Sequence, residues 1–285
     1  MSAIAFQGEA GAFGEEAVIG YFGEGVAPTP MPTFSAVCAA VEDGSADAGV
    51  LPLENSLAGT VGDALDALAR GSLEVVGELL LPVRHHLLVV PGVGLEEVER
   101  VSSHWQALAQ CERFLASRRW QTVASADTAG AARELAGTDD RHAAAIASDR
   151  AATRYGLEIV AREIADAPHN MTRFAVLGRA AGSVPPAAGT RAPSGHAGRE
   201  SLVTFETGHQ PGELYRALGA LADAGINLSR IESRPSGAGP WRYRFLVQVV
   251  GDAAVEPLRG ALAALRQRTS SMRILGAFDA APGDD

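Results

Sequence analysis

The hydrophobic and polar positions of this chain change period several times, and each change marks an element. Residues 3–7 form a short apolar run that predicts a buried strand, and an amphipathic stretch over 15–22 predicts a helix. Residues 33–41 predict a second helix, ended by Gly44. The apolar run 47–53 predicts a strand leading into a loop that carries Glu54, Asn55 and Ser56. Gly59 and Thr60 then open a helix over 61–69, where Val61, Leu65 and Leu68 recur at helical spacing before Gly71. Two apolar runs follow, 73–83 and 87–90. A second series comprises a strand at 98–102, a helix at 107–117 and a strand at 122–125. Asp127 and Thr128 cap a helix reaching 135, and a strand at 143–147, a helix at 149–155 and a strand at 157–165 complete it. Strands alternating with helices predict parallel α/β sheets. Two such series over about 180 residues predict two lobes with a ligand cleft between them.

Residues 181–199 break the pattern. They hold Gly182, Pro185, Pro186, Gly189, Pro193, Gly195 and Gly198 with almost no large apolar side chain, the composition of a linker. Beyond them, a strand at 202–206 precedes a helix whose Leu214, Ala217, Leu218, Leu221 and Ala222 share one face. A strand at 226–233 follows. Trp241, Tyr243, Phe245, Val247 and Val249 then alternate with more polar positions, predicting a half-buried strand. A helix carrying Val255, Leu258, Leu262 and Leu265 and a strand at 272–278 complete the order βαββαβ, a ferredoxin-like motif.

Composition narrows the function classes. Of 285 residues 47% are hydrophobic, enough for a substantial core, and the net charge is −10. No dense basic stretch is present, so nucleic acid and anionic membrane are poor partners. Cys38 and Cys111 lack any CxxC neighbour and read as buried, reduced thiols. No apolar run approaches the ~18 residues of a membrane span. Residues 1–6 lack a basic n-region, so the expected location is the cytoplasm.

Four polar clusters interrupt the apolar frame. Residues 8–14 form a Gly-rich turn between strand and helix, where bare backbone N–H groups suit a carboxylate, although the spacing is not GxGxxG. Glu54, Asn55 and Ser56 lie at the carboxyl end of a strand, where α/β sheets bind ligands. Gln106 follows Ser103-His104-Trp105 at another helix start. His169 to Phe174 offer a hydroxyl, an amide and a guanidinium at the mouth of a strand; alone, they read as a polar strand entrance. His85 and His86 are adjacent, so they point apart on a strand. With no carboxylate or third histidine nearby they read as surface or hinge histidines, not a metal site.

The clusters carry specific spacings. Residues 51–56 with Gly59 and Val61 match P-x-E-N-S-x-x-G-x-V, and residues 103–111 resemble S-H-P-Q-A-L-A-Q-C. Residues 170–174 match N-x-T-R-F, and residues 225–235 match G-I-N-L-T/S-x-I-E-S-R-P. In this order the segments resemble the prephenate dehydratase family with a C-terminal ACT domain, over almost the whole chain. Three positions depart from it. Trp105 replaces a proline, Gly11-Ala12-Phe13-Gly14 lacks the usual hydroxyls, and Glu213 replaces Ala or Ser.

The resemblance implies an α/β fold: a two-lobed, periplasmic-binding-protein-like catalytic domain over 1–180 and a ferredoxin-like ACT domain over 200–279. Lobe 1 would take about 1–80 and 165–180 and lobe 2 about 81–164, with 181–199 as linker. It implies conversion of prephenate to phenylpyruvate without metal or cofactor, feedback by phenylalanine, and a homodimer or homotetramer. Thr172 takes the central catalytic role, with Glu54, Asn55 and Gln106. Glu54 is either a proton relay to Thr172 or an orienter of its neighbours. Ser56, Asn170, Gly11, Ala12 and Arg173 are implied substrate contacts. Arg173 points opposite to Thr172 on a strand, so a brace between lobes stays open for it. The effector site would use Gly212, Leu214, Asn227, Leu228, Glu232, Ser233 and Arg234. Two alternatives remain: an arogenate dehydratase, and a non-catalytic sensor of small anions or amino acids.

Overall fold

The computed structural model describes residues 1–180, 183–187, 198–237 and 239–281. Most of the expected linker, 181–182 and 188–197, lies outside the described residues. The chain runs β1 (Ala3–Gln7), α1 (Phe13–Phe22), β2 (Ala27–Met31), α2 (Phe34–Glu42), β3 (Ala48–Asn55), β4 (Gly59–Thr60), α3 (Gly62–Arg70) and β5 (Glu74–Pro82). It continues through β6 (His86–Val89), β7 (Arg100–His104), α4 (Trp105–Gln110), α5 (Glu112–Ala116), β8 (Gln121–Ser125), α6 (Thr128–Ala136), β9 (Ala143–Ala147), α7 (Asp149–Tyr155) and β10 (Glu158–Ala161). β11 (Met171–Gly178), β12 (Arg199–Glu206), α8 (Glu213–Ala222), β13 (Leu228–Pro235), β14 (Tyr243–Val250), α9 (Leu258–Gln267) and β15 (Ser271–Asp279) complete it.

These strands build three sheets, in the orders β2-β1-β3-β11-β5, β10-β6-β9-β7-β8 and β13-β14-β12-β15. The α/β class and the C-terminal βαββαβ order hold, but the sheets are mixed. β1, β2 and β3 are parallel, whereas β11 runs antiparallel to β3 and β5, and β6 antiparallel to β9 and β10. The reason is that the chain crosses between the first two sheets twice, and the return strand β11 enters between β3 and β5 from the opposite end. β2 has no counterpart in the hydrophobic pattern, because Pro28 and Pro30 disrupt it. It lies at a sheet edge, where prolines cost no ladder bond. Cys111 divides the expected helix 107–117 into α4 and α5.

The core explains the arrangement. α2 and α3 cover one face of the first sheet and α1 the other. α8 and α9 cover one face of the third sheet. Its other face, with Leu202, Leu246, Leu275 and Phe278, joins a single apolar cluster with Leu65, Leu68, Leu73 and Val75 of the first unit. β14 is consequently buried on both faces from Leu246 to Val249, in place of the expected alternation. β15 crosses β5 so closely that a Cβ on Gly276 would lie 2.0 Å from the Val75 oxygen, and its φ of +152° is open mainly to glycine.

His85 and His86, expected at the surface or a hinge, are both buried, 2% and 1% exposed. β6 is an inner strand, and Glu163 N–H donates to His86 Nδ1 at 3.0 Å. Among the described residues no helix is long and apolar enough to cross a membrane.

Both cysteines are free and buried, and burial pushes the Cys38 thiol up to about 11 and the Cys111 thiol up to about 12. At about pH 8 fewer than about one molecule in a hundred then carries either thiolate. Dithionitrobenzoate should titrate no thiol in the folded protein and both in denaturant. Prompt reaction of the native protein would show that one helix opens readily.

Candidate active site

A cavity of about 560 Å³ separates the first two sheets, within the range of small-molecule sites. Thr172 and Phe174 reach it from β11, Asn55 from the end of β3, and Ala12, Phe13 and Gly14 from the start of α1. The second unit contributes His85, His104, Gln106, Gln110 and Asp127. Glu54 and Asn55 stand at the end of β3 itself rather than in a loop, so strand alternation governs where they point. Asn55 pairs across the ladder with Thr172, and Glu54 with Arg173. The first pair faces the cavity. The second lies outside the cavity lining, and Arg173 bonds Glu78 at 2.6 Å and approaches Glu54 at 3.7 Å.

The hydrogen bonds around Thr172 have a direction. Asn55 Oδ1 accepts backbone N–H groups from Leu57 (3.1 Å) and Ala58 (2.9 Å). Its amide nitrogen therefore turns the other way and donates to Asn170 Oδ1 (2.7 Å), the Met171 carbonyl (3.1 Å) and Thr172 Oγ1 (3.0 Å). Because Thr172 oxygen accepts from Asn55, its own proton is left to point elsewhere, and the open direction is the cavity. Asn170 passes the pattern on, donating to Gln110 Oε1 at 2.9 Å, and His85 Nε2 lies 2.9 Å from that same oxygen.

Other expected contacts hold the walls. Ser56 Oγ donates to the His169 carbonyl and accepts from Met171 N–H, both at 3.0 Å, clamping the entrance of β11. Gly11, at φ +88°, accepts Ser148 Oγ and packs on Ala151, fastening the first loop to α7, while Ala12 lines the cavity. Asn170 is buried behind Asn55 and does not line the cavity. His85 and Gln110, which line it, are not among the expected site residues. His85 reads as a surface or hinge residue in the sequence, and Gln110, although it is the second glutamine of the 103–111 segment, reads as part of a helix.

Asp127 carries the only formal charge in the described lining, and it caps α6 through the Gly130 N–H. A site for an anion here lacks an arginine, so its positive field must come from the backbone. α1, α3, α4 and α6 all start at cavity-lining residues, and α1 and α3 have no side-chain cap to absorb their N–H groups. Burial lowers the His104 pKa, partly offset by Asp127, so its neutral Nδ1 can accept Gln106 N–H at 3.4 Å and cap α4.

Behind the site, the third sheet grips β3 and β5 of the first sheet. Arg230 of β13 donates to the Leu53 carbonyl at 3.1 Å and lies 3.6 Å from Glu54, and Gln248 of β14 donates to Glu78 at 3.1 Å. Of the expected effector residues, Glu232 accepts from the hydroxyl of cavity-lining Thr60, and Arg234 pairs with Asp66 of α3 at 2.9 Å. Ser233 lies between them on β13. Gly212 precedes α8 at φ +81°, Leu214 and Leu228 pack into the helix-covered core, and Asn227 accepts Val250 N–H at 3.0 Å. The expected effector residues thus divide between the α8 side and the face turned to the first unit.

Asn170→Leu tests the buried amide chain. It strands donors or acceptors on Asn55 and Gln110 and should cost about 1–3 kcal/mol in urea denaturation with unchanged slope. A loss below about 0.5 kcal/mol would mean the amides are not coupled as their geometry indicates.

Residues 4–182 match the family model described as prephenate dehydratase, and residues 201–267 match the ACT domain. The chain is 39% identical over 284 residues to chloroplastic arogenate dehydratase/prephenate dehydratase 2 of Arabidopsis thaliana, covering 96% of this chain and 72% of that protein. It is 37% identical to a bifunctional N-acyl-homoserine lactone acylase/prephenate dehydratase of Komagataeibacter europaeus, covering 98% and 96%. The crystal structure of prephenate dehydratase from Arthrobacter aurescens in complex with L-Phe superposes with a TM-score of 0.85 at 31% identity, covering 98% and 90%.

Proposed function

The chain belongs to the prephenate dehydratase family, and on that premise we propose that it turns prephenate into phenylpyruvate under feedback by phenylalanine. The observation that carries this reading is the Thr172 hydroxyl, held as an acceptor by Asn55 and so free to donate into the cavity. In the reaction the bond between the ring and its carboxylate breaks, carbon dioxide leaves, and the electron pair enters the ring. The C4–oxygen bond breaks in the same sense, and the oxygen departs with a proton as water. Aromatisation drives the change, so the protein's task is to hold a dianion and relieve negative charge growing on the leaving oxygen. A positioned donor there acts mainly in the transition state, the kind of binding that raises kcat. Thr172 supplies a hydrogen bond, and the proton comes finally from solvent.

Asn55 orients Thr172, and Gln106 with the backbone N–H groups at Ala12 to Gly14 receives substrate carboxylates. Phe13, Phe34 and Phe174 supply the apolar wall for the ring. Glu54 and Arg173 take the orienting and bracing alternatives, because they pair on the far side of the strand. Ser56, Asn170 and Gly11 act as wall-builders. The division into a catalytic domain over 1–180 and an ACT domain over 200–279 is part of the same proposal.

The regulatory half rests on the ACT match, the L-Phe bound to the Arthrobacter relative, and the grip of β13 and β14 on the strands that carry Glu54 and Glu78. A shift of β13 at an effector site would pull on the Leu53 carbonyl, two residues from Asn55. Paired ACT units of a homodimer or homotetramer would form that site. β13 is a sheet edge with Ile231 exposed, a surface on which a second copy fits. A biosynthetic role supports a cytoplasmic location.

Two measurements test this reading. Thr172→Val should keep its melting temperature, because Asn55 retains two acceptors, and lose about 10²–10³-fold in kcat on prephenate. Near-normal turnover by that variant would remove Thr172 from the chemistry. Arg230→Met should weaken inhibition by phenylalanine about tenfold while leaving uninhibited kcat within about threefold. Unchanged inhibition would show that the signal takes another route.

A further inference from the structure

His85 lines the cavity, is 2% exposed, and has no part in the chemistry above. Its two ring nitrogens differ. Nε2 lies 2.9 Å from Gln110 Oε1, while Nδ1 is buried with no hydrogen-bond partner among the described residues. Phe13 meets the ring edge-on at 5.7 Å, so the ring is held in place by packing from the first unit.

The tautomer follows from the chain of amides. Suppose Nδ1 carried the proton. Nε2 and Gln110 Oε1 would then be two lone pairs facing each other at 2.9 Å. Turning the Gln110 amide relieves that clash and sets its nitrogen against the Asn170 nitrogen. Turning Asn170 in response sets its nitrogen against the Asn55 nitrogen. Asn55 cannot turn, because the N–H groups of Leu57 and Ala58 both hold its oxygen. Every contact along the chain pairs a donor with an acceptor in only one arrangement, with a proton on His85 Nε2.

We propose that His85 is a positioning residue for Thr172: its Nε2–H closes a one-way hydrogen-bond chain through Gln110, Asn170 and Asn55 that keeps the Thr172 proton aimed into the cavity. This rests on the reading of Thr172 as the donor to the leaving oxygen. Gln110 Oε1 accepts two donors, one from each lobe side, so loss of the histidine donor frees the Gln110 and Asn170 amides to turn; Asn55 keeps its facing but loses the fixed acceptor on Asn170 that holds its amide in place against Thr172. The neutral ring suits the role, since burial lowers the pKa of His85, assisted by neighbouring His86 and opposed by the bond to Gln110.

Nitrogen-15 correlation spectra of the labelled full-length protein read the tautomer directly. The expected result is a protonated Nε2 and a bare Nδ1 for His85; the opposite assignment overturns the proposal. Kinetics with prephenate give the second readout. His85→Gln places its amide nitrogen where Nε2 stood and should keep kcat within about threefold. His85→Phe keeps the shape without the donor and should lower kcat about 10–100-fold with KM within about threefold. Full turnover by His85→Phe, or equal losses in the two variants, overturns it. If Thr172→Val is inactive while His85→Phe is fully active, the role of Thr172 stands and that of His85 falls. If Thr172→Val stays active, the role of Thr172 falls first, whatever the His85 spectra show.

Discussion

Two backbone N–H groups, those of Leu57 and Ala58, decide which way the Asn55 amide faces, and the candidate site follows from that choice. They belong to the turn that ends β3, so a local feature of the backbone sets the polarity of a buried network. Asn55 binds Thr172 on the cavity side and Asn170 behind it, joining the two strands that carry the candidate site. Hydrogen bonds of this kind add only about 1 kcal/mol each to stability, but an unpaired buried amide costs more, so the arrangement is close to all-or-none. A threonine hydroxyl is a poor acid. Its value here is direction, and direction is what the amides supply.

Strand alternation then separates two tasks within consecutive residues. Asn55 and Thr172 face the cavity, whereas Glu54 and Arg173 face away from it: Arg230 of the third sheet approaches Glu54, and Arg173 pairs with Glu78 of β5, which in turn accepts from Gln248 of the third sheet. A displacement at β13 therefore reaches the reverse side of the strand that carries cavity-facing Asn55. Gly276, pressed against Val75, shows how closely the two bodies fit. The cavity meanwhile presents no formal cation among its described lining. Helix N-termini take that place, which suits a site that must hold a dianion yet release a product of lower charge.

Much of this was legible in the residues. The apolar runs and their turns mark most elements, and the βαββαβ order of the last third is plain from Leu202 to Phe278. The three polar segments at Asn55, Gln106 and Thr172 do converge on one cavity. What escaped has physical causes. β2 hides because prolines at an edge strand erase the alternation. Antiparallel β11 cannot be told from a parallel strand by composition. His85 beside His86 reads as a polar surface pair, since burial on an inner strand depends on what covers it. The buried pairing of Gln248 with Glu78 needs the third sheet docked before it has any meaning.

Turnover itself is the most direct test of the account. The purified chain should be incubated with prephenate and, in parallel, with arogenate, following phenylpyruvate, phenylalanine and carbon dioxide. The account predicts one phenylpyruvate and one carbon dioxide for each prephenate consumed. No phenylpyruvate above the uncatalysed rate, with binding of prephenate intact, would contradict it and leave the cavity as a site that only senses its ligand.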